Sequence, residues 1–123
     1  MTQDIQITTE EGLVRVTYRG IVEYGATTEM LRKVGQMAAE RQVKLVLFDI
    51  RDADYSNYSV ATLRHAEEGP ALGIDKITFR IAFLGAAGNP MFKYIEDVSV
   101  NRGYQVKSFT DEGAGLAWLR QAP

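Results

Sequence analysis

A short apolar run near the centre of the chain gives a clear strand signal. Leu45 to Phe48 follow one another without alternation, within a predicted strand over residues 43–50. Such a run is too short for a membrane span and is typical of a strand buried on both faces of a parallel sheet. Asp49 comes next, at the carboxyl end of the strand, where open α/β sheets carry their functional loops.

Other strands are predicted from alternation and from β-branched or aromatic content. Residues 5–9 and 13–18 alternate apolar and polar side chains around a Glu10-Glu11-Gly12 turn, which predicts an antiparallel hairpin. Residues 77–84 predict a further strand. Its apolar side chains on one face are Ile77, Phe79, Ile81 and Phe83. Residues 104–109 predict a shorter strand, placed at a sheet edge because polar side chains interrupt it.

Four segments between or after these strands have the apolar spacing of amphipathic helices. The first ends near residue 41, and the second covers about residues 57–68, where Gly69-Pro70 ends or kinks it. The candidate caps are Thr27 or Thr28, Asn89 followed by Pro90, Gly103, and Thr110 or Asp111. Their residue types suit helix starts and, for Gly103, a left-handed helix end.

The predicted order of elements is β-β-α-β-α-β-α-β-α. Strands that alternate with helices through short loops favour a mainly parallel sheet, to which the N-terminal strand adds an antiparallel edge. The length of 123 residues suits one domain. We therefore predict a single-domain α/β fold over residues 1–123, with a mixed sheet and helices packed on it.

Composition narrows the classes of function. The chain has no cysteine, which excludes disulfides, thiolate nucleophiles and cysteine-ligated metal sites. Its 14 Lys and Arg residues nearly balance 16 Asp and Glu residues, and they are scattered, which disfavours nucleic-acid binding. Residues 1–6 lack the features of a signal peptide. We expect a cytoplasmic protein with no membrane span.

Few residues suggest catalysis or metal binding. His65 is the one histidine, and charged neighbours on a predicted helix favour a solvated surface position. Asp49 and Asp54 could bind a divalent ion, although aspartates at a strand exit more commonly form turns and caps. Ser59, His65 and Asp49 lack the spacing of a hydrolase triad. We expect a protein that is not an enzyme and has neither a cofactor nor a metal.

A glycine-bearing turn is predicted between the strand at 77–84 and the third helix. Gly85, Gly88 and Asn89 stand where backbone N–H groups can face an anion or other ligand. The turn lacks the spacing of nucleotide-binding motifs. The alternative is a tight turn whose small side chains let the helix approach the sheet.

The order of elements, with residues 45–50 running into residues 54–60, resembles the STAS fold of anti-sigma-factor antagonists and sulfate-transporter tails. It is most similar to the SpoIIAA-like subgroup, whose members also resemble CRAL-TRIO-type lipid carriers. Residues 80–85, 106–109 and 115–119 resemble the closing segments of that subgroup. The resemblance covers nearly the whole chain, and the order and spacing of these motifs carry it.

The resemblance implies a protein-binding regulatory module, which Tyr55 and Tyr58 suit because tyrosines are effective contact residues. The implied partner or ligand surface comprises Asp49, Asp54, Tyr55, Ser56, Asn57, Tyr58 and Ser59. The family's Asp-Ser-Ser-Gly motif falls on residues 57–60, so Ser59 matches the phosphoacceptor, whereas Asn57 and Val60 depart from the motif. The alternative is that Ser56, Asn57 or Ser59 only caps the helix.

Two further expectations accompany this interpretation. The alternative function is a carrier or sensor of a lipid or other small apolar ligand, for which the apolar third helix could line a pocket. A deep lipid cavity would need that helix to stand off the sheet, because a domain this small has little volume beyond its core. We also expect a homodimer, because an edge strand and the hairpin remain to be covered.

Overall fold

A mixed sheet forms the centre of the molecule. The structure, a computed structural model, describes residues 3–55 and 59–121, with the backbone alone for residues 59–63. The strands are β1 (Asp4–Glu10), β2 (Leu13–Ile21), β3 (Leu45–Asp49), β4 (Ala53–Asp54), β5 (Arg80–Leu84) and β6 (Gln105–Phe109). Their order in the sheet is β1-β2-β3-β5-β6, and the short β4, which was not predicted, pairs with β2.

The pairing confirms the predicted hairpin, the parallel sheet and the edge position of the last strand. β1 runs antiparallel to β2, and the remaining pairs are parallel. β3 lies between β2 and β5, so helices can cover both of its faces. Val46 and Leu47 are fully buried and Phe48 is 4% exposed, as predicted for an apolar run without alternation.

Helices cover the two faces of the sheet unequally. The helices are α1 (Tyr24–Arg41), α2 (Ser59–Glu68), α3 (Pro90–Asn101) and α4 (Glu112–Leu119), with a 3-10 turn at Gly69–Leu72 after α2. α1, α2 and α3 lie on one side, here called the three-helix face. α4 alone packs on the opposite side, the α4 face. Successive strand side chains point to opposite faces, which divides the core into these two clusters.

Most of the predicted helix ends are confirmed. Asn89 caps α3 by accepting a hydrogen bond from the Met91 N–H, and Asp111 caps α4 through the Ala114 N–H. Gly103 has a φ of 98°, which is the left-handed conformation that glycine adopts without strain. The predicted threonine cap of α1 is wrong. α1 begins earlier, at Tyr24, with Glu23 as its N-cap, so both threonines lie inside the helix.

The predicted start of the strand at 77–84 is also wrong. β5 begins at Arg80, and Ile77 is 84% exposed. Asp75 Oδ1 accepts hydrogen bonds from the N–H groups of Ile77 and Thr78, at 2.9 and 2.7 Å. This side-chain turn takes up the backbone groups that a strand would need, so it outweighs the β-propensity of Ile77.

The three-helix face is not packed evenly. α1 contacts β1 and β2, and α3 contacts β6. α2 instead packs on α3 and on the 3-10 turn, further from the strands. Gly35 of α1 lets the backbone of the 3-10 turn approach closely, because a Cβ there would lie 2.1 Å from Leu72 O. The helix that stands off the sheet is therefore α2, the second helix.

Candidate functional site

Asp49, at the carboxyl end of β3, is held by the arginine that follows it. Arg51 donates from Nε to Asp49 Oδ1 at 3.0 Å and from Nη2 to Oδ2 at 2.8 Å. Burial alone would raise the pKa of Asp49, but these hydrogen bonds outweigh burial and lower the pKa of the carboxyl. Both carboxylate oxygens are thus used in a bidentate ion pair.

This pair belongs to a wider charged group on the α4 face. Arg15 of β2 donates to Glu10 at 2.8 Å and to Glu112 of α4 at 2.9 Å. Arg51 also lies 3.7 Å from Glu112. Asp49 therefore helps to anchor the start of α4 through the charges around it, rather than facing α2.

The next two predicted residues lie elsewhere. Asp54 is exposed in β4, and its backbone carbonyl accepts the Val22 N–H at 2.9 Å. Tyr55 lies on the three-helix face, where its ring contacts the edge of Phe92 with centroids 6.2 Å apart. Burial raises the pKa of Tyr55, with a smaller contribution from Tyr18. The predicted surface is thus divided, since Asp49 and Tyr55 lie on opposite faces of the sheet.

The predicted motif itself is only partly within the described structure. Ser56, Asn57 and Tyr58 lie outside the described residues. The backbone of Ser59 is described, and it is the first residue of α2. That position matches the predicted first turn of the second helix. The phosphoacceptor role of Ser59 and the contact roles of its three neighbours stay predictions.

The glycine-bearing turn lies beside this region, as the neighbouring positions of β3 and β5 require. The Ile50 N–H donates to Leu84 O at 2.9 Å, which joins the exits of the two strands. Gly85 is buried, and a Cβ there would lie 2.4 Å from the Phe92 ring, so glycine permits close packing of α3. Gly88 has a left-handed φ of 81°.

The same turn borders a broad groove of about 420 Å³. The Asn89 oxygen is occupied in capping α3. Lys93, on the groove wall, lies 3.1 Å from both Glu96 and Asp97, which neutralise its charge. Asp111 adds a carboxylate to the opposite wall. These contacts favour the tight-turn interpretation, and a ligand role for Gly85, Gly88 and Asn89 stays a prediction.

His65 is buried, so the predicted surface position is wrong. Its side chain is 7% exposed, and its ring stacks on Tyr24 of α1 with centroids 4.3 Å apart. The Thr28 hydroxyl donates to Tyr24 O at 3.0 Å, so the Nε2–H of His65 donates to Thr28 Oγ1 at 2.8 Å. Burial lowers the pKa of His65 and outweighs the opposing effect of Glu68.

A cavity of about 100 Å³ lies between α1, α2, α3 and the sheet. It is lined by Thr27, Met30, Leu31, Phe48, Tyr55, His65, Ala66, Gly69, Ile74, Ile81, Phe83, Ile95, Ser99, Tyr104 and Val106. Ile95 and Ser99 come from the apolar third helix, as expected for a pocket wall. No local sequence pattern predicts this cavity, because the walls of the cavity come from six separate elements and the 3-10 turn.

Residues 3–55 and 59–121 contain neither a metal-binding cluster nor a membrane-spanning helix. No three His, Asp or Glu side chains of this part of the chain cluster closely enough to hold a metal ion. No helix in it is long and apolar enough to cross a membrane.

Comparison with known proteins identifies the fold. No family model and no curated protein matches the chain. An anti-sigma factor antagonist from Mycobacterium paratuberculosis superposes with a TM-score of 0.65 at 11% identity, covering 98% of this chain and 96% of the other. An uncharacterised DUF3478 protein with a SpoIIAA-like fold, from Shewanella loihica PV-4, gives 0.59 at 18% identity, covering 95% and 93%.

A third solved structure agrees with these two. The anti-sigma factor antagonist SpoIIAA in its unphosphorylated form superposes with a TM-score of 0.55 at 17% identity, covering 97% of this chain and 100% of the other. Identities this low establish the fold and leave the activity open. The chain therefore has the SpoIIAA-like, STAS fold that its sequence resemblance implied.

Proposed function

We propose that this chain is a non-enzymatic regulatory module that binds a protein partner. The observation that carries the proposal is the likeness, over nearly the whole chain, to two anti-sigma factor antagonists. The partner surface in this proposal is formed by Asp54, Tyr55, residues 56–58 and the start of α2 at Ser59. Asp49, which was predicted as part of this surface, lies on the other face, where Arg51 holds it.

The position of Ser59 supports phosphorylation as the means of regulation. As the first residue of the ten-residue α2, it lies beside backbone N–H groups that have no partner within the helix, and at the positive end of the helix dipole. A phosphate there would gain charge-assisted hydrogen bonds and would change the charge of the partner surface. The resemblance to antagonists with a phosphoacceptor serine motivates this part of the proposal.

Partner binding can be tested by replacing the central pair of the motif. Tyr58→Ala with Ser59→Ala removes the aromatic contact and the hydroxyl group together. We expect capture of the cognate partner by the immobilised protein to fall at least tenfold, because aromatic contact residues commonly dominate binding. The partner is identified first by cross-linking in the native host and then purified for the measurement.

The control is Gln6→Ala with Thr8→Ala, which changes two exposed side chains on β1. Both variants should unfold at the wild-type urea midpoint, so a loss of capture reports on contact rather than on folding. Equal capture by the wild type and the Tyr58/Ser59 variant would refute this partner surface. Phosphopeptide mapping of Ser59 from the native host tests the regulatory part separately.

A second candidate function is a carrier or sensor of a small apolar molecule, and the cavity beneath α2 favours it. Its volume of about 100 Å³ lies well below the roughly 300 Å³ at which most ligand pockets begin. This volume supports a small molecule rather than a lipid chain.

Native mass spectrometry of protein purified gently from its own host tests this second candidate. A non-covalent extra mass that disappears on denaturation supports it, and the bare mass argues against it. The same spectrum reports the stoichiometry, for which we expect a homodimer. A monomer at micromolar concentration would contradict that expectation.

A further inference from the structure

Thr27 is a buried polar side chain in a mainly apolar wall. It is 7% exposed, it lines the cavity, and its hydroxyl oxygen has no hydrogen-bond partner among the described residues. The adjacent Thr28 has two partners, Tyr24 O and His65 Nε2. A buried hydroxyl without a partner destabilises a fold, because it loses its hydrogen bonds to water without replacement. Its presence in this wall therefore points to a partner that enters the cavity.

Two other polar groups of the wall already have partners. The Tyr104 hydroxyl donates to Ala66 O at 2.8 Å, and His65 Nε2–H donates to Thr28. An ordered buried water makes about three hydrogen bonds, more than Thr27 alone can supply. A mainly apolar molecule with one polar atom matches this wall better than water does.

The wall also selects for an uncharged occupant. Burial raises the pKa of Tyr55, raises the pKa of Tyr104 to about 12, and lowers the pKa of His65. All three side chains are therefore neutral near pH 7. No Asp, Glu, Lys or Arg side chain from the described ranges lines the cavity, so an ion would lose hydration without gaining a counter-charge.

The volume allows at most one ring. An engineered cavity of about 150 Å³ holds benzene, and the present cavity measures about 100 Å³. The rings of Phe48, Phe83 and Tyr55 supply aromatic walls, which suit an aromatic ring in offset or edge contact.

We propose that this cavity is a binding site for a neutral, single-ring molecule with one hydroxyl group, which hydrogen-bonds to Thr27 Oγ1. The proposal deepens the second candidate function by specifying the chemistry of its ligand. Among the described residues, Tyr55 is the one that it shares with the proposed partner surface.

Phenol and toluene make a matched pair of probes, because they have the same number of heavy atoms and differ by a hydroxyl against a methyl group. Each is titrated into ¹⁵N-labelled full-length protein. We expect saturable shifts at the backbone amides of Thr27, Leu31 and Ser99, with the Trp118 indole N–H on the α4 face unchanged. Thr27→Val keeps the shape of the side chain and removes its hydroxyl.

In Thr27→Val, the affinity for phenol relative to toluene should fall about two- to tenfold, which corresponds to one buried hydrogen bond. Thr8→Val, an exposed threonine on β1, should leave that ratio unchanged. Ala66→Leu and Ser99→Leu each add bulk to the wall and should weaken both probes at least tenfold. Each of these two variants counts as folded only if its thermal melting transition matches that of the wild type.

Three results would overturn the proposal. They are an absence of saturable shifts at the cavity amides with either probe, an unchanged phenol-to-toluene ratio in Thr27→Val, and full binding in a folded variant with a filled wall. None of these results bears on partner capture, which the Tyr58 and Ser59 variant tests, so failure of one function is distinguishable from failure of the other.

Discussion

The two faces of the sheet use the same strands and bury their side chains differently. On the α4 face, a small set of side chains at most 1% exposed packs under one short helix. They are Leu13, Leu47, Ala82, Leu84 and Leu119. Arg80 closes one margin, with its guanidinium 3.8 Å from the Trp118 ring centroid and Nε donating to Trp118 O at 2.9 Å. Ion pairs border this cluster, such as that of Arg15 with Glu112 and that of Arg51 with Asp49.

On the three-helix face, a larger cluster surrounds a cavity, an unpartnered hydroxyl and three titratable groups that are neutral near pH 7. In α4, which contacts β3, β5 and β6, Gly115 is buried, and a Cβ there would lie 3.5 Å from the Phe109 ring of β6. α2 instead rests on other helices. The comparison indicates that the α4 face is closely packed and that the three-helix face retains a cavity.

The largest expected effect comes from the same truncation made on each face. Leu47→Ala, at a fully buried position on the α4 face, should lower the free energy of unfolding by about 3–5 kcal/mol. Leu31→Ala, in the partly exposed cavity wall, should cost about 1–2 kcal/mol, because it removes fewer contacts. Urea unfolding followed by circular dichroism measures both. Equal losses would mean that the two faces are equally packed.

The next effect concerns the close contact between α1 and the 3-10 turn on the three-helix face. Gly35→Ala would place a Cβ 2.1 Å from Leu72 O, so we expect a loss of about 1–3 kcal/mol despite the better helix propensity of alanine. Gly25→Ala, in the same helix, meets no atom within 4 Å and should raise stability by up to about 1 kcal/mol. Thermal melts separate the two variants, and a stabilising Gly35→Ala would contradict the close contact.

Removing the unpartnered hydroxyl should have a smaller effect of the opposite sign. Thr27→Val should raise the free energy of unfolding by about 1 kcal/mol, because it eliminates a buried polar group that has no partner. Thr8→Val should stay within about 0.5 kcal/mol of the wild type, as is usual at exposed positions. Chemical denaturation without added ligand gives both values. A clear loss of stability in Thr27→Val would show that its hydroxyl has a partner.

The smallest effect is a pH dependence confined to the three-helix face. The pKa of His65 is lowered in the folded chain, whereas the unfolded chain takes up a proton on it near its ordinary value of about 6.5. The unfolded state therefore binds more protons below that pH, and stability should decline as the pH falls from about 7.5 to about 5.5. Above that window the neutral ring contributes its full stabilisation.

The groups that face this ring set the size of the effect. Glu68 and a backbone hydrogen bond with Tyr24 raise the pKa of His65, whereas Arg64 adds to the lowering caused by burial. His65→Gln keeps an N–H donor for Thr28 and does not titrate, so its stability should vary less over the same window. Paired urea titrations at the two pH values measure this difference. If the free energy of unfolding changed equally with pH in the wild type and in His65→Gln, His65 would be excluded as the source of the pH dependence.

Much of the fold was predictable from local chemistry. The run from Leu45 to Phe48 identified the central strand, and alternation in residues 5–9 and 13–18 identified the hairpin. The caps at Asn89 and Asp111 were predictable because a cap needs only a side chain and the N–H groups two or three residues later. The predicted threonine cap of α1 is the exception among the caps, because α1 begins earlier, at Tyr24.

The errors arose where distant or competing contacts prevail. His65 has charged neighbours in sequence, but its partners Tyr24 and Thr28 come from a helix formed about forty residues earlier in the chain. Ile77 has strong β-propensity, which the Asp75 side chain overrides by taking up the backbone N–H groups of the turn. The candidate surface was predicted as one group, but Asp49 and Tyr55 point to opposite faces.

The sequence by itself determined the order of elements, the burial of β3 and the absence of cysteine chemistry, because each depends on neighbours along the chain or on composition. Tertiary structure decided where α2 lies, which threonine finds a partner and what surrounds His65. These features depend on how far a helix stands from the sheet. That distance is set by side chains from many separate elements packing at once, and no local pattern encodes it.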